Sequence, residues 1–131
     1  MPGNFYDTNI LLYLASEDTP KADAAERALA LGGTISVQVL NEFVHVARRK
    51  MNFSWQEIDE FLGAVIAVLT LVPLTIEIHD KGREIARRHG FSIYDAMIIA
   101  AALACDCDTL FSEDMSNGMR IDGLTVINPL V

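Results

Sequence analysis

The stretch Asn4–Leu14, NFYDTNILLYL, runs a short strand pattern straight into a helical one. Asn4-Phe5-Tyr6 suits a strand, and Ile10 to Leu14 supplies the apolar residues of a helix that follows at once. Between them stand Asp7, Thr8 and Asn9, of which Asp7 or Thr8 makes a good N-cap. The chain therefore opens as a βα unit with a carboxylate at the junction. Whether Asp7 only caps the helix depends on what the fold brings beside it.

The same alternation continues. An Ala-rich helix is expected from about Pro20 to Leu31, stopped by Gly32-Gly33, and a buried strand over Thr34–Ser36. Ser36 or a neighbour opens a helix through VQVLNEFVHVARRK to about Lys50. Asn52-Phe53-Ser54 breaks it. Ser54-Trp55-Gln56-Glu57 has capping-box spacing and starts a helix to about Ala67. Leu69–Leu74 reads as a strand with Pro73 near its end, and Ile76–His89 as a helix closed by Gly90. Ser92 opens another helix to about Cys105, and Asp108–Ser112 and Leu124–Asn128 are the remaining strands. Strands alternating with helices predict an α/β fold, a three-layer α/β/α sandwich with a mainly parallel central sheet. In such sheets functional groups collect beyond the carboxyl ends of the strands.

Bulk properties narrow the function. A chain of 131 residues, 51% hydrophobic and 21% charged, suits one domain over 1–131 with a single core. Apolar runs fall short of the roughly 18 residues of a membrane span. The opening MPGNFYDTN has no basic stretch leading into an apolar one, so a cytoplasmic protein, with no membrane partner, is expected. Cys105 and Cys107 are too close for a native disulfide and have no zinc-type companions; Cys107 is expected to be a buried free thiol. A net charge of −8 excludes coating nucleic acid by bulk attraction. It leaves room for a nucleic-acid enzyme, because an acidic cluster for divalent cations carries such charge itself.

Four acids occupy strand ends or early helix turns. Asp7 follows the first strand, Asp114 lies two residues past Ser112, and Asp95 and Glu42 sit in the first and second turns of their helices. Singly, each has an ordinary role: Asp7 as N-cap, Asp95 as the N3 acid of a capping box with Ser92, Asp114 in the polar loop SEDMSNG. Glu42 is less easily explained. It borders the core stripe of Val39, Leu40, Phe43, Val44 and Ala47, where a carboxylate is partly desolvated and needs a partner such as Arg49 or a metal. Together the four would repel one another without a cation. Mg²⁺ or Mn²⁺ suits such oxygen donors, and can polarise a phosphoryl oxygen and activate water against a phosphodiester. Other chemistries lack their motifs: there is no GxSxG, Walker loop or GxGxxG. Position 9 is Asn9, where an aspartyl phosphatase wants a second acid, and His45, His79 and His89 are expected on helix surfaces.

With these residues in view, the sequence resembles the PIN-domain ribonucleases, particularly the VapC-type toxins of toxin–antitoxin pairs. YDTNILLYL at 6–14 is similar to the family's opening D-x-N motif, and SVQVLNEF at 36–43 to the helix carrying its glutamate. SIYDAMIIAAAL at 92–103 resembles the third acidic motif, and DTLFSEDMSNG at 108–118 the strand and loop of the fourth. The resemblance implies that Asp7, Glu42, Asp95 and Asp114 form a catalytic pocket for Mg²⁺ or Mn²⁺, with Asn9 and Ser112 orienting ligands or water behind them. It favours Asp114 over its neighbour Glu113. The implied activity is metal-dependent endonucleolytic cleavage of RNA, often transfer RNA. One departure is Asp106, where relatives usually have Gly after the third-motif helix; it touches none of the four acids.

The resemblance also bears on partners. Arg48, Arg49, Lys50, Arg83, Arg87 and Arg88 become candidates for RNA-phosphate contacts, although a solvated helix face explains each equally well. A VapB-type antitoxin is implied, its C-terminal segment lying in an apolar groove to which Tyr13, Leu14, Phe53, Trp55 and Phe61 could belong. Homodimerisation is implied as well. The competing reading is a PIN-fold module that binds RNA or protein without cutting.

Overall fold

The structure, a computed structural model, describes residues 3–130. Its elements follow the expected alternation. Strand β1 (Gly3–Tyr6) leads into α1 (Thr8–Leu14) and α2 (Thr19–Leu29); β2 (Thr34–Ser36) leads into α3 (Val37–Arg49) and α4 (Trp55–Val68). Strand β3 (Thr70–Val72) leads into α5 (Ile76–His89) and α6 (Ile93–Ala104), followed by β4 (Cys107–Phe111), β5 (Arg120–Ile121) and β6 (Leu124–Ile127).

The six strands form one sheet in the order β3-β2-β1-β4-β6-β5. Phe5 is in register with Thr34 on one side and Leu110 on the other, and all neighbours run parallel except the β5–β6 pair. This order explains the three layers. From β1 to β2 to β3 the chain steps toward one edge, and from β3 it crosses back past β1 to β4. Parallel crossovers are right-handed, so reversing direction moves the connecting helices from one face of the sheet to the other. Helices α1–α4 thus cover one face and α5–α6 the opposite one. The reversal leaves a switch point between β1 and β4, the place where an open α/β sheet leaves a crevice.

Packing follows from the apolar residues of these elements. Phe5, Tyr6, Ile10, Ile35, Phe43, Ile98 and Leu110 are wholly buried. Tyr6 stacks on Phe111 at 5.4 Å between ring centroids, and its hydroxyl lies 2.7 Å from the carbonyl of Ala28 and 2.6 Å from that of Gly32. Helix α6 is buried continuously from Ala96 to Ala102, as its unbroken apolar run requires.

Several expectations hold in detail. Asp7, Ser36, Ser54 and Ser92 are N-caps, and Ser54 with Glu57 forms a full capping box. Gly90 ends α5 in the left-handed region at φ 77°, and Asp106 takes the left-handed turn after α6 at φ 57°. Cys107 is buried, both thiols are free, and the three histidines are exposed. Other expectations are corrected. Helix α2 ends at Leu29, short of Leu31, and β3 spans Thr70–Val72 only, inside the expected 69–74. Strand β5 was not expected. It pairs antiparallel with β6 through Asp122-Gly123, both at positive φ, the dipeptide such a tight hairpin requires. Among the described residues, no helix is long and apolar enough to cross a membrane.

Candidate active site

Asp7 leaves β1 at the switch point. Its backbone N–H donates to the carbonyl of Phe111 at 2.9 Å, so the ladder between β1 and β4 runs to the first residue of the α1 cap. That continuity carries the carboxylate inward, where it is 2% exposed. One oxygen accepts the N–H of Thr8 at 2.7 Å, and the other accepts the hydroxyl of Ser112 at 2.6 Å. Ser112, itself fully buried, comes from the end of β4, so adjacent strands deliver both partners.

The other acids arrive from their own elements. Glu42 is one helical turn past Gln38, whose side-chain amide donates to it at 2.9 Å. The Ser92 hydroxyl caps α6 by accepting the N–H of Asp95 at 3.1 Å. Only this half of the capping box forms. The return bond from carboxylate to N-cap N–H is made at Glu57 but not at Asp95. The loop after β4 is held twice: Asn9 Oδ1 accepts the N–H of Glu113 at 3.2 Å, and Ser112 Oγ that of Asp114 at 3.2 Å. The Glu113 carboxylate accepts a hydrogen bond from the Tyr13 hydroxyl and so is engaged away from its neighbour.

The electrostatics join the four acids. Burial raises Asp7 from 3.8 to about 7, against the hydrogen bonds from Ser112 and Thr8, and the charges of Asp95 and Asp114 raise it further. Glu42 is raised mainly by burial and also by Asp95 and Asp114, and Asp95 by burial and then by Asp114. The field of Asp114 reaches all of the other three. Among the described residues, none of the four has a Lys, Arg or His ion-pair partner, so Arg49 does not pair with Glu42. Two further polar atoms are buried without a partner, the Thr8 hydroxyl and the Asn9 side-chain amide nitrogen.

This donor set suits a hard divalent cation: anionic oxygens, raised proton affinities at Asp7, Glu42 and Asp95, and, among the described residues, no Lys, Arg or His paired with them. The side chains as placed stop short of a cage, for among the described residues no three His, Cys, Asp or Glu are drawn together closely enough to hold an ion. They share a field rather than a coordination sphere.

The sequence matches the PIN domain family over residues 5–116. The chain belongs to the PIN domain family. No curated protein matches it. Among solved structures, it is similar to a toxin–antitoxin complex from Klebsiella pneumoniae, with TM-score 0.74 and 20% identity over 96% of this chain and 97% of that one. It is also similar to Mycobacterium tuberculosis VapC20, described as a sarcin-ricin loop cleaving toxin, with TM-score 0.68 and 20% identity over 85% of this chain and 91% of that one. A third likeness is to VapBC2 from Rickettsia felis bound to a promoter DNA fragment, with TM-score 0.67 and 20% identity over 94% and 96% of the two chains.

On this PIN domain the basic residues divide. Arg48 donates to the Phe53 carbonyl at 2.9 Å and lies 4.9 Å from the Trp55 ring centroid. Arg83 pairs with Asp80 at 2.6 Å, and Arg88 with Asp122 at 2.7 Å. Arg49, Lys50 and Arg87 are exposed with no ion pair among the described residues. The residues named for an apolar groove also separate. Leu14 and Phe61 line a groove with Leu29, Val65 and Val68, whereas Tyr13 turns to Glu113 and Trp55, 58% exposed, to Arg48. Two features escaped the sequence reading. Gln38 was legible as the i−4 neighbour of Glu42 but was passed over, and a cleft lined in part by Glu42 and Tyr94 left no local signal.

Proposed function

We propose that this PIN domain is a VapC-type toxin, an endoribonuclease that hydrolyses RNA phosphodiester bonds with Mg²⁺ or Mn²⁺. One observation carries the reading: a buried carboxylate at the switch point, Asp7, is coupled to Asp95 and Asp114 with, among the described residues, no Lys, Arg or His ion pair to balance them. Residues 1–131 are read as a single nuclease domain acting in the cytoplasm.

Asp7, Glu42, Asp95 and Asp114 would hold the ion. When bound, it would polarise the scissile phosphate and make water nucleophilic near neutral pH, leaving a 5′-phosphate and a 3′-hydroxyl. The chain prepares for this by opposing the protonation that burial favours. The Ser112 hydroxyl and Thr8 N–H keep Asp7 ionisable, and the Gln38 amide does the same for Glu42. Asn9 and Ser112 fix the loop that carries Asp114. The unpartnered Asn9 amide adds a neutral donor for water or a phosphate oxygen, and the Thr8 hydroxyl lies beside Glu42, where it favours the ionised carboxylate.

Transfer RNA and ribosomal RNA loops are the substrates to try first, the second because a structural neighbour is a sarcin-ricin loop cleaving toxin. A VapB-type antitoxin is the proposed partner, and a homodimer the proposed assembly. The groove between α1, α2 and α4, lined by Leu14, Leu29, Phe61, Val65 and Val68, suits the apolar face of an antitoxin segment. One observation favours the non-cutting reading, namely that the acids do not close on a common point as placed.

The test separates the two. Purified protein free of antitoxin is incubated with transfer and ribosomal RNA, with Mn²⁺, Mg²⁺ or chelator, and titrated with Mn²⁺ calorimetrically. Cleavage and heat of binding should both appear, and both should fall at least about 100-fold in Asp7→Asn and Asp95→Asn. Cleavage that survives both substitutions would falsify the assignment. RNA binding without Mn²⁺ binding would establish the non-cutting module.

A further inference from the structure

Next to the acids lies a cleft of about 520 Å³ lined by Gln38, Asn41, Glu42, His45, Val46 and Tyr94. Its volume falls in the range of small-ligand sites, roughly 300–1,000 Å³. It shares Glu42 with the candidate active site, and its Tyr94 directly precedes Asp95 on α6. Tyr94 is 61% exposed although it begins the most deeply buried helix of the fold. Across the cleft, Asn41 and His45 are exposed and one helical turn apart on α3, and neither side chain has a hydrogen-bond partner among the described residues. Gln38 is already committed to Glu42.

The chemistry of the lining restricts its occupant. It includes no Lys or Arg, and the Glu42 carboxylate repels phosphate, so the nucleic-acid backbone is disfavoured there. What remains is an aromatic face, a Val side chain, a carboxamide and an imidazole. An aromatic face stacks any base, and neutral donors and acceptors read its edge. Resting on the nuclease reading above, we propose that this cleft seats one unpaired nucleobase flanking the cleaved phosphate, stacked on Tyr94 and read by Asn41 and His45. The substrate class is therefore single-stranded or loop RNA, since a base held in a duplex cannot reach the Tyr94 face. Tyr94 is a positioning residue, and Asn41 and His45 set base preference.

Two measurements test this. In the first, Asp7→Asn protein, which cannot cut, is titrated with single-stranded oligoribonucleotides carrying one 2-aminopurine, whose fluorescence is quenched on stacking. One label position should be quenched on binding. Tyr94→Ala should abolish that quench and weaken binding roughly 5- to 150-fold, the range for losing one base–aromatic stack, while Tyr94→Phe retains both. In the second, protein with Asp7 intact cleaves a stem-loop pool with randomised loops. Asn41→Ala and His45→Ala should flatten base preference at the same position beside the cut, and Tyr94→Ala should raise KM more than it lowers kcat. Unaltered quenching and base preference in Tyr94→Ala would overturn the proposal, as would cleavage confined to duplex RNA. Protection of 38–46 and 94 from hydrogen exchange by a protein partner, with none by oligoribonucleotides, would also overturn it. If quenching depends on Tyr94 but nothing is cut, the base seat stands and the nuclease reading fails.

Discussion

At the scale of single residues, the behaviour of the site turns on Ser112. It is buried, donates to Asp7, and accepts from the backbone of Asp114, so one hydroxyl ties two acids from adjacent strand ends. Ser112→Ala removes the donor that favours ionised Asp7 and leaves the Asp114 N–H without its acceptor. The proton affinity of Asp7 should rise further, and Mn²⁺ affinity and RNA cleavage should each fall about 10- to 100-fold with the fold intact. Calorimetric titration and cleavage rates check this; unchanged Mn²⁺ affinity would show that the hydroxyl does not support the site. The D-x-N and S-x-D spacings marked these residues, but the direction of each bond could not be read from them. The family resemblance favoured Asp114 over Glu113, but the bond that engages Glu113 could not be read, because Tyr13 lies 100 positions away.

At the scale of elements, the junction of α2 with β2 is the most constrained. Gly33 has φ +144°, and a Cβ there would lie 2.5 Å from the Asn4 carbonyl oxygen and 2.8 Å from the Tyr6 ring. Backbone cannot retreat without breaking the β1–β2 register, so Gly33→Ala should cost at least about 2 kcal/mol, read as a lowered urea midpoint with unchanged slope. By contrast, a Cβ at Gly32, φ +77°, meets nothing within 4 Å, so Gly32→Ala carries only the conformational cost and should be milder. The pair Gly32-Gly33 was legible as a helix stop; that only the second glycine guards a close approach was not. Helix caps were the most legible features, since a cap depends on residues within one turn. Strand β5 was the least legible, for two residues carry no periodicity.

At the scale of the whole molecule, gathering acids in one field makes stability depend on pH in an unusual direction. Asp7, at about 7 when folded against an ordinary 3.8, binds its proton more tightly in the native state. Its contribution is complete below about pH 4 and is lost as pH rises through 7; Glu42 and Asp95, also raised, act in the same direction. Glu57, Asp80 and Asp122 are lowered, by hydrogen bonds from Ser54, Arg83 and Arg88 respectively, and lose their contribution only in more acid solution. The ion-free protein should therefore have a Tm that falls between about pH 4 and 7, and Asp7→Asn should flatten the fall. At pH 7, Mn²⁺ at a hundredfold excess over its Kd should raise Tm by on the order of 10 °C, and Asp7→Asn should lose that shift. A Tm that rises steadily from pH 4 to 7 in chelator would contradict the burial of a protonated Asp7.

The alternation of strand and helix, the caps, and the order of four acids along the chain were determined by the sequence alone. Each rests on contacts between near neighbours, at the two-residue period of strands and the three- to four-residue spacing of helices. Only the tertiary structure decided that β1 and β4 lie side by side, so that Ser112 reaches Asp7 across 105 positions. It also decided that Tyr94 stands exposed over a cleft shared with Glu42. Those facts depend on strand order and helix packing, which bring together residues that no local period relates. The desolvation that raises Asp7 exists only once the sheet and its helices close around it.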